Sequence, residues 1–395
     1  MTGAPLSLRA LLAWSTVAMG LDIGVARITY GTILPALSRD LGLDYVTGGL
    51  LSSVNLAAYL AGTLAAPRLG GRFGMRRLAS LGHLGFAAGA LLCGAATEIG
   101  VLAIGRILMG FGAGVGLLAL FVVVFGATAP SRRSAVSALV WSGIGFAIVL
   151  GGAAAPWLLL PGGWWRLSLL VPALAAVGVG LAFRREVVPA EAAVPAAPAP
   201  AADGRSGSSL LRHLPLAGAY LMFGVGYITY STFAGSRLAA SGAPTSAVVL
   251  AWIALGTASV AGSALTAAIL SASSLRRAAL VLALGAGAIG CALVAIGGPV
   301  LDVAGPLFVG LGMASTPALV TAYARARSDD ASYPRVFAFA TVGLGIGQLL
   351  GPSVAGLLAA GFGSDATMLF ATAAYGAGAA LAVLDAARDT TASSN

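Results

Sequence analysis

Three side chains in one apolar run are of types that could do chemistry: Asp22, Arg27 and Tyr30. They lie within Gly20–Pro35, inside a stretch long enough to be a first membrane-spanning helix. A charge at the centre of a bilayer costs about 2.5–3.5 kcal/mol on the translocon scale, so two in one helix must face protein, water or a ligand. Arg27 keeps its proton and presents a planar fork of donors, which suits a carboxylate or a phosphate. Tyr30 follows one turn later on the same face. The plainer reading of Arg27 is a structural ion pair, with Asp22 or with an acid from another helix. Five residues apart on an α-helix, Asp22 and Arg27 are about 140° apart and do not face each other. Asp22 is the one acid deep inside a predicted span. It is either a proton carrier that loads on one side and unloads on the other, or a fixed countercharge for Arg27 or Arg106.

Weaker candidates surround these. Ser52, Asn55 and Tyr59 form a polar stripe, in which Asn55 is helix–helix glue or a ligand contact. Tyr220, Phe223, Tyr227 and Tyr230 fall on one helical face. Tyrosine away from the membrane interface needs a partner for its hydroxyl, so Tyr227 and Tyr230 are expected to line a cavity rather than face lipid. Gln348 is mid-span and has the same ambiguity as Asn55. The glycine strings Gly110–Gly116 and Gly343–Gly351 lie within spans and lack a following Lys-Ser/Thr, so they read as close helix packing rather than phosphate loops. Gly351-Pro352 should bend its helix. His83 and His213 are placed near helix ends, in solvated interfacial positions. Cys93 and Cys291 lie in separate apolar runs with no CxxC partner, and read as buried inert thiols; no metal and no cofactor is expected.

Composition fixes the elements that must hold these residues. Of 395 residues, 58% are hydrophobic and 9% charged, with a mean hydropathy of +0.95. Soluble domains carry about 25% charged residues, so the chain belongs with membrane proteins. The net charge of +9 comes from arginines, with no lysine, spread over loops between apolar runs. That pattern is membrane topology rather than nucleic-acid binding. Apolar runs predict twelve helices, near 10–37, 46–66, 78–97, 100–127, 134–158, 164–183, 213–236, 244–270, 278–297, 300–324, 336–360 and 367–387. The even-to-odd loops and the termini hold most arginines, among them Arg72, Arg76, Arg77, Arg132 and Arg133; the opposite side holds Arg39, Arg166 and Arg237. Both termini are therefore expected in the cytoplasm. The first apolar run continues as a full span, without the cleavage site of a signal peptide.

The chain also repeats itself. Gly24, Val25, Ile28, Thr29, Tyr30 and Thr32 recur 200 residues later, while Arg27 becomes Tyr227. Gly62, the pair Arg76-Arg77, Gly110, Gly112, Gly143, Gly145 and Gly151 recur at the same offset. Two parallel six-helix halves follow: 1–185 and 210–395, joined by a linker over 186–209 rich in Pro, Ala and Ser.

These residues resemble the major facilitator superfamily. The loop Pro67-Arg-Leu-Gly-Gly-Arg-Phe-Gly-Met-Arg-Arg77 looks like the family signature between helices 2 and 3; Arg72, Gly74, Arg76 and Arg77 match, while Pro67 and Gly71 stand where the family has glycine and aspartate. Arg106-Ile-Leu-Met-Gly110 resembles the helix 4 signature, and Gly163-Trp-Trp-Arg166 the opening of helix 6. Gly347-Gln-Leu-Leu-Gly351-Pro352, in helix 11, looks like a signature that the family more often shows in helix 5. The helix 1, 7 and 11 patterns together resemble the YbfB-like branch.

The resemblance implies an all-α membrane protein of twelve transmembrane helices in two pseudo-symmetric bundles, monomeric in the inner cell membrane. It implies gating roles for Arg72, Arg76, Arg77, Gly351 and Pro352. Arg106 takes a part in coupling or in helix packing, or else a structural pair with Glu98 or Asp302. The expected function is secondary transport of a small organic solute by alternating access, with an anion favoured by Arg27. Proton coupling would run through Asp22 and Arg106, and substrate contacts would come from Arg27, Tyr30, Asn55, Tyr59, Tyr227, Tyr230 and Gln348. Export has an edge from the Gly-Pro signature; uptake symport or lipid and drug flipping is the alternative. A membrane-embedded enzyme would need a nucleophile–base or metal constellation, which two separated histidines and two apolar cysteines do not supply. A sensor would need an output domain, and a nucleotide-driven pump a Walker-type loop; the sequence shows neither.

Overall fold

The computed structural model describes residues 6–129, 132–185, 210–271, 278–326, 328 and 332–392. The expected linker over 186–209 and the pair Arg276-Arg277 lie outside the described residues. The chain divides into two compact units, Met1–Ala196 and Ala197–Asn395.

The first unit holds α1 (Leu8–Leu41), α2 (Tyr45–Phe73), α3 (Met75–Ala95), α4 (Ile99–Gly126), α5 (Arg133–Leu158) and α6 (Leu167–Ala182). The second holds α7 (Leu214–Ala240), α8 (Thr245–Ser271), α9 (Ala279–Ile296), α10 (Leu301–Ala326), α11 (Tyr333–Phe362) and α12 (Asp365–Ala392). Among the described residues, eleven helices are long and apolar enough to cross a membrane. The exception is α7: it has 27 residues, ample length, but its Gly, Ser, Thr and Tyr content lowers its hydropathy. It is buried along most of its length, so its sequence answers to protein neighbours rather than to lipid.

Local chemistry explains the boundaries. Ser7 caps α1 by accepting from the Ala10 amide at 3.3 Å, and Asp44 caps α2 by accepting from Thr47 at 2.7 Å. Hydrogen bonding from the Thr47 side chain, and then from its amide, stabilises the Asp44 carboxylate and holds its pKa below the ordinary aspartate value. The predicted second helix stops near Pro67, yet α2 runs through it to Phe73. The break comes at Gly74, whose φ of +80° favours glycine.

One element departs from the expected α-helix. Within α1, Gly20–Thr29 is a ten-residue π-helix, flanked by α-helical turns at Leu8–Met19 and Tyr30–Leu41. Its i→i+5 bonding widens the turn and brings residues five apart closer to one face than an α-helix does. The counterpart α7 carries no such segment.

Both units are packed by one scheme. In the first, α4 packs against α2 and α3, α1 against α5, and α3 against α6; in the second, α10 packs against α8 and α9, α7 against α11, and α9 against α12. Glycines set the spacing. A Cβ on Gly62 would lie 2.3 Å from the Phe111 carbonyl oxygen, and one on Gly262 would lie 2.7 Å from that of Leu311. Gly110 abuts the Asn55 carbonyl as Gly310 abuts that of Leu255. The glycines recurring at an offset of 200 thus hold equivalent helix crossings, and the glycine strings work in packing.

Candidate functional site

The π-helical segment of α1 carries the charged residues into the core of the first unit. Asp22 and Arg27 stand five apart, so the i→i+5 turn brings them onto nearly one face, where an α-helix would separate them. The Arg27 guanidinium is within electrostatic reach of the Asp22 carboxylate. It also lies over the ring of Tyr59, with Cζ 4.2 Å from the centroid. A desolvated stack of this kind contributes about 2 kcal/mol.

The closest charged neighbour of Asp22 is one that the sequence reading put elsewhere. Asp22 Oδ2 is 3.3 Å from His83 Nε2, and both side chains are fully buried. The expectation of a solvated, interfacial His83 is therefore corrected. α3 begins at Met75, and eight residues at 1.5 Å each carry His83 about 12 Å into the bundle. Its other nitrogen, Nδ1, is 2.7 Å from the Ala79 carbonyl oxygen. The ring stacks on Phe183, with centroids 6.1 Å apart. Gly116 of α4 leaves the space: a Cβ there would lie 2.9 Å from His83 Cε1 and 3.0 Å from Nδ1.

Arg106 supports the site from α4. Its Nη1 donates to the Ala26 carbonyl at 2.6 Å and its Nε to the Leu51 carbonyl at 3.4 Å. Ala26 lies in the π segment, so Arg106 satisfies a carbonyl of the widened turn and ties α1 to α2. Its guanidinium lies 4.1 Å from the centroid of the Tyr30 ring. Tyr30 donates its hydroxyl to the Gly48 carbonyl at 2.9 Å, and Asn55 Nδ2 donates to the Arg106 carbonyl at 2.7 Å. Tyr30 and Asn55 thus have partners inside the protein, and of the two readings of Asn55 the geometry supports glue. Arg106 takes backbone carbonyls rather than Glu98. Arg27 and Arg106 are within electrostatic reach of each other. Two guanidiniums therefore share the interior with one carboxylate and one imidazole. The other acids of residues 1–185, Asp40, Asp44 and Glu98, lie at helix ends.

The second unit replaces this set. At the offset of 200, Asp22, Arg27, Asn55, His83 and Arg106 become Met222, Tyr227, Leu255, Ala283 and Pro306. In their place Gln348 Nε2 donates to Tyr227 Oη at 2.8 Å. Phe223 stacks between Tyr220 and Tyr227, at 5.8 Å and 5.1 Å between centroids, so the stripe read from the sequence forms one aromatic column. Tyr230 is buried on the same helix. Pro352 lies within α11, and a Cβ on Gly351 would lie 3.0 Å from the Val225 carbonyl oxygen.

The three arginines expected to gate, Arg72, Arg76 and Arg77, lie at the end of α2 and at the start of α3. Arg72 stacks on Phe73 at 5.5 Å, and Arg76 Nη1 donates to the Arg185 carbonyl at 3.3 Å. Arg77 is exposed beside them. Cys93 and Cys291 are buried free thiols, and no cluster of three or more His, Cys, Asp or Glu side chains is placed to hold a metal ion among the described residues.

Residues 15–384 match the family described as "Uncharacterised MFS-type transporter YbfB". The chain is 30% identical over 148 residues to the 4-hydroxybenzoate transporter PcaK of Acinetobacter baylyi; the match spans 37% of this chain and 32% of that protein, so about a third of the relative's length is covered. Among solved structures, a bacterial homologue of the human lysosomal transporter Spinster superimposes with a TM-score of 0.71 at 15% identity, covering 98% of this chain and 96% of that one. The nucleoside transporter NupG gives 0.71 at 13% identity, over 97% and 98%. A D-xylose-proton symporter gives 0.71 at 16% identity, over 95% of each chain. At these identities the structural likeness shows the fold.

Proposed function

This chain belongs to the YbfB family of MFS-type transporters, and we propose that it carries a small organic anion across the inner cell membrane by alternating access, coupled to protons. The observation that carries the reading is the charge set in the first unit: Arg27, held over Tyr59, and Arg106, with Asp22 as the interior acid. Comparison within the chain supports a functional origin. The second unit builds the same helix pairings with Met222, Tyr227, Ala283 and Pro306 at the equivalent positions. The charges are therefore not a requirement of packing such a bundle.

Arg27 is the anion-binding residue in this reading, with Tyr59 fixing its fork. Tyr227, Tyr230 and Gln348 supply a polar, aromatic surface in the second unit. Asp22 carries the proton, while Arg106, Tyr30 and Asn55 hold the π segment in place. An aromatic carboxylate is the first substrate to try, because the curated relative transports 4-hydroxybenzoate. Twelve spans, cytoplasmic termini and a monomer complete the reading, supported by the arginine distribution and the fold. Export in exchange for protons is a second reading, favoured by the Gly347–Pro352 signature.

The test is reconstitution into liposomes with an imposed pH gradient. Wild-type protein should accumulate labelled 4-hydroxybenzoate or a related organic anion, and Arg27→Ala should lose at least tenfold in rate while melting as the wild type does. The gradient polarity that drives transport separates symport from exchange. Equal rates in wild type and Arg27→Ala would remove Arg27 from the binding site.

A further inference from the structure

We propose that His83 is the second proton-coupling residue: it and Asp22 hold one proton between them, and losing that proton turns the Asp22 carboxylate toward Arg27. This rests on the reading that transport is proton-coupled through Asp22, and extends it to a residue on another helix and to the sense of coupling.

A backbone carbonyl can only accept, so the Ala79 oxygen at 2.7 Å fixes the ring proton on Nδ1. Nε2 then faces Asp22 Oδ2 at 3.3 Å. A neutral Nε2 is an acceptor and an ionised carboxylate is an acceptor, so with no proton between them the contact is repulsive. With one proton it is a hydrogen bond, written either as Oδ2–H donating to Nε2 or as Nε2–H donating to the carboxylate. Both forms leave the pair with no net charge. The 3.3 Å separation is an ion-pair distance without hydrogen-bond geometry: neither Asp22 carboxylate oxygen nor His83 Nε2 makes a hydrogen bond among the described residues, so the two groups must reorient slightly to share the proton.

The charged and titratable groups around the pair decide what deprotonation does. From α1, Arg27 acts on Asp22 directly; Arg106 of α4 acts on Arg27, and Tyr30 of α1 and Cys93 of α3 face Arg106 in turn. α5 presents Ala147 to Gly24, and Phe183, which caps the C-terminus of α6, stacks on the imidazole. When the shared proton leaves, the pair carries one negative charge. Asp22 then turns to Arg27, five residues along the π turn. When the proton returns, Asp22 goes back to His83, and an anionic substrate no longer competes with a carboxylate for Arg27. Proton and anion therefore bind together, and one proton accompanies one anion: the coupling is symport. The repeat supports treating the parts as a unit, because Asp22, Arg27, His83, Arg106 and the π segment all lack counterparts in the second unit.

The chain has two histidines, which makes a direct test practical. In the His213→Gln variant, labelled with 15N-histidine and embedded in nanodiscs, nitrogen NMR reports His83 by itself. The expected result is Nδ1 protonated at every pH, and one transition in the Nε2 signal, as the shared proton leaves, that Asp22→Asn abolishes. A bare Nδ1, no transition, or a transition indifferent to Asp22→Asn would each overturn the proposal. In liposomes, His83→Gln and Asp22→Asn should each flatten the pH dependence of 4-hydroxybenzoate uptake, and the double variant should be no worse than either; independent, multiplying losses would also overturn it. The NMR result needs no substrate. An intact transition alongside failed uptake therefore removes the aromatic acid while leaving the pair.

Discussion

Gly116→Ala would test how tightly the imidazole is held. The new Cβ would stand 2.9 Å from His83 Cε1, 3.0 Å from Nδ1 and 3.4 Å from Nε2, and these three atoms are its nearest neighbours. Ordinary carbon contacts lie at about 3.5–4.0 Å, so the ring must retreat by roughly 0.5–1 Å. It has little room, because Phe183 stacks on it, the Ala79 carbonyl holds Nδ1 and Asp22 stands 3.3 Å from Nε2. Overpacking of this size costs about 1–3 kcal/mol, and stretching one buried hydrogen bond past use adds about 1–3 kcal/mol. Replacing an interior helical glycine by alanine returns up to about 1 kcal/mol. The net expectation is a loss of about 1–5 kcal/mol, read as a lower thermal unfolding midpoint in detergent, with a changed His83 nitrogen spectrum. Gly85→Ala is the control. It lies on α3 two residues from His83, and its new Cβ would meet nothing closer than Gly112 Cα at 3.8 Å. It should unfold at or slightly above the wild-type midpoint. Equal midpoints and unchanged spectra for Gly116→Ala would refute the claim that this glycine exists to seat the imidazole.

Arg106→Met should destabilise the protein by about 1–3 kcal/mol, because it removes the hydrogen bond to the Ala26 carbonyl and the stack on Tyr30; a denaturant midpoint equal to wild type would count against it. Tyr227→Phe should cost about 1–3 kcal/mol by leaving the Gln348 amide without its acceptor, and Tyr227→Phe with Gln348→Leu should recover part of that; a double variant worse than the sum would contradict the pairing. Asp44→Ala should cost about 1 kcal/mol through loss of the α2 cap. Because the folded state depresses the Asp44 pKa, its contribution is full above the ordinary aspartate value and fades as pH falls through the lower, folded one. The gap in midpoint between wild type and Asp44→Ala should therefore narrow in acid, and a gap constant with pH would refute the assignment.

The helices were legible because bilayer spans announce themselves by length and apolarity. Even α7, too polar to qualify on hydropathy, is found from its flanks and from its likeness to α1. Pro67 misled because proline is a helix breaker in isolation, and α2 nonetheless continues to a glycine with positive φ. Asp22 and Arg27 were legible as types but not as neighbours, since nothing in Gly20–Thr29 marks a π-helix. The wider turn is recovered only once Arg106, from a helix 80 residues on, is seen donating to Ala26. His83 was misplaced for a related reason. Its distance from the arginine-rich loop suggested the membrane surface, while the helix starting at Met75 had already taken it a dozen ångströms inward. One signal in the sequence did point to it: the alignment that turns Asp22, Arg27 and Arg106 into Met222, Tyr227 and Pro306 also turns His83 into Ala283.

An interior charge set has a cost that a folded bundle can avoid, and the second unit avoids it at every equivalent position while preserving the glycine crossings. Were the charges only structural glue, the positions would be free to drift separately, and a lone arginine or aspartate would be as acceptable as the pair. Instead the acid, the imidazole, both guanidiniums and the π segment are confined to one unit. Each also needs another: the π turn brings Asp22 to Arg27, Arg106 holds the π turn through Ala26, and His83 gives Asp22 a second place to rest. A set with those dependencies has two internal arrangements, Asp22 on His83 or Asp22 on Arg27, separated by one proton. Grafting Asp22, Arg27, His83 and Arg106 onto the second unit as a set, in the background of Met222, Tyr227, Ala283 and Pro306, should be tolerated better than grafting Asp22 and Arg27 without the other two. The unfolding midpoints of the two grafted proteins measure this directly, and the reverse order would show that the four residues do not act together.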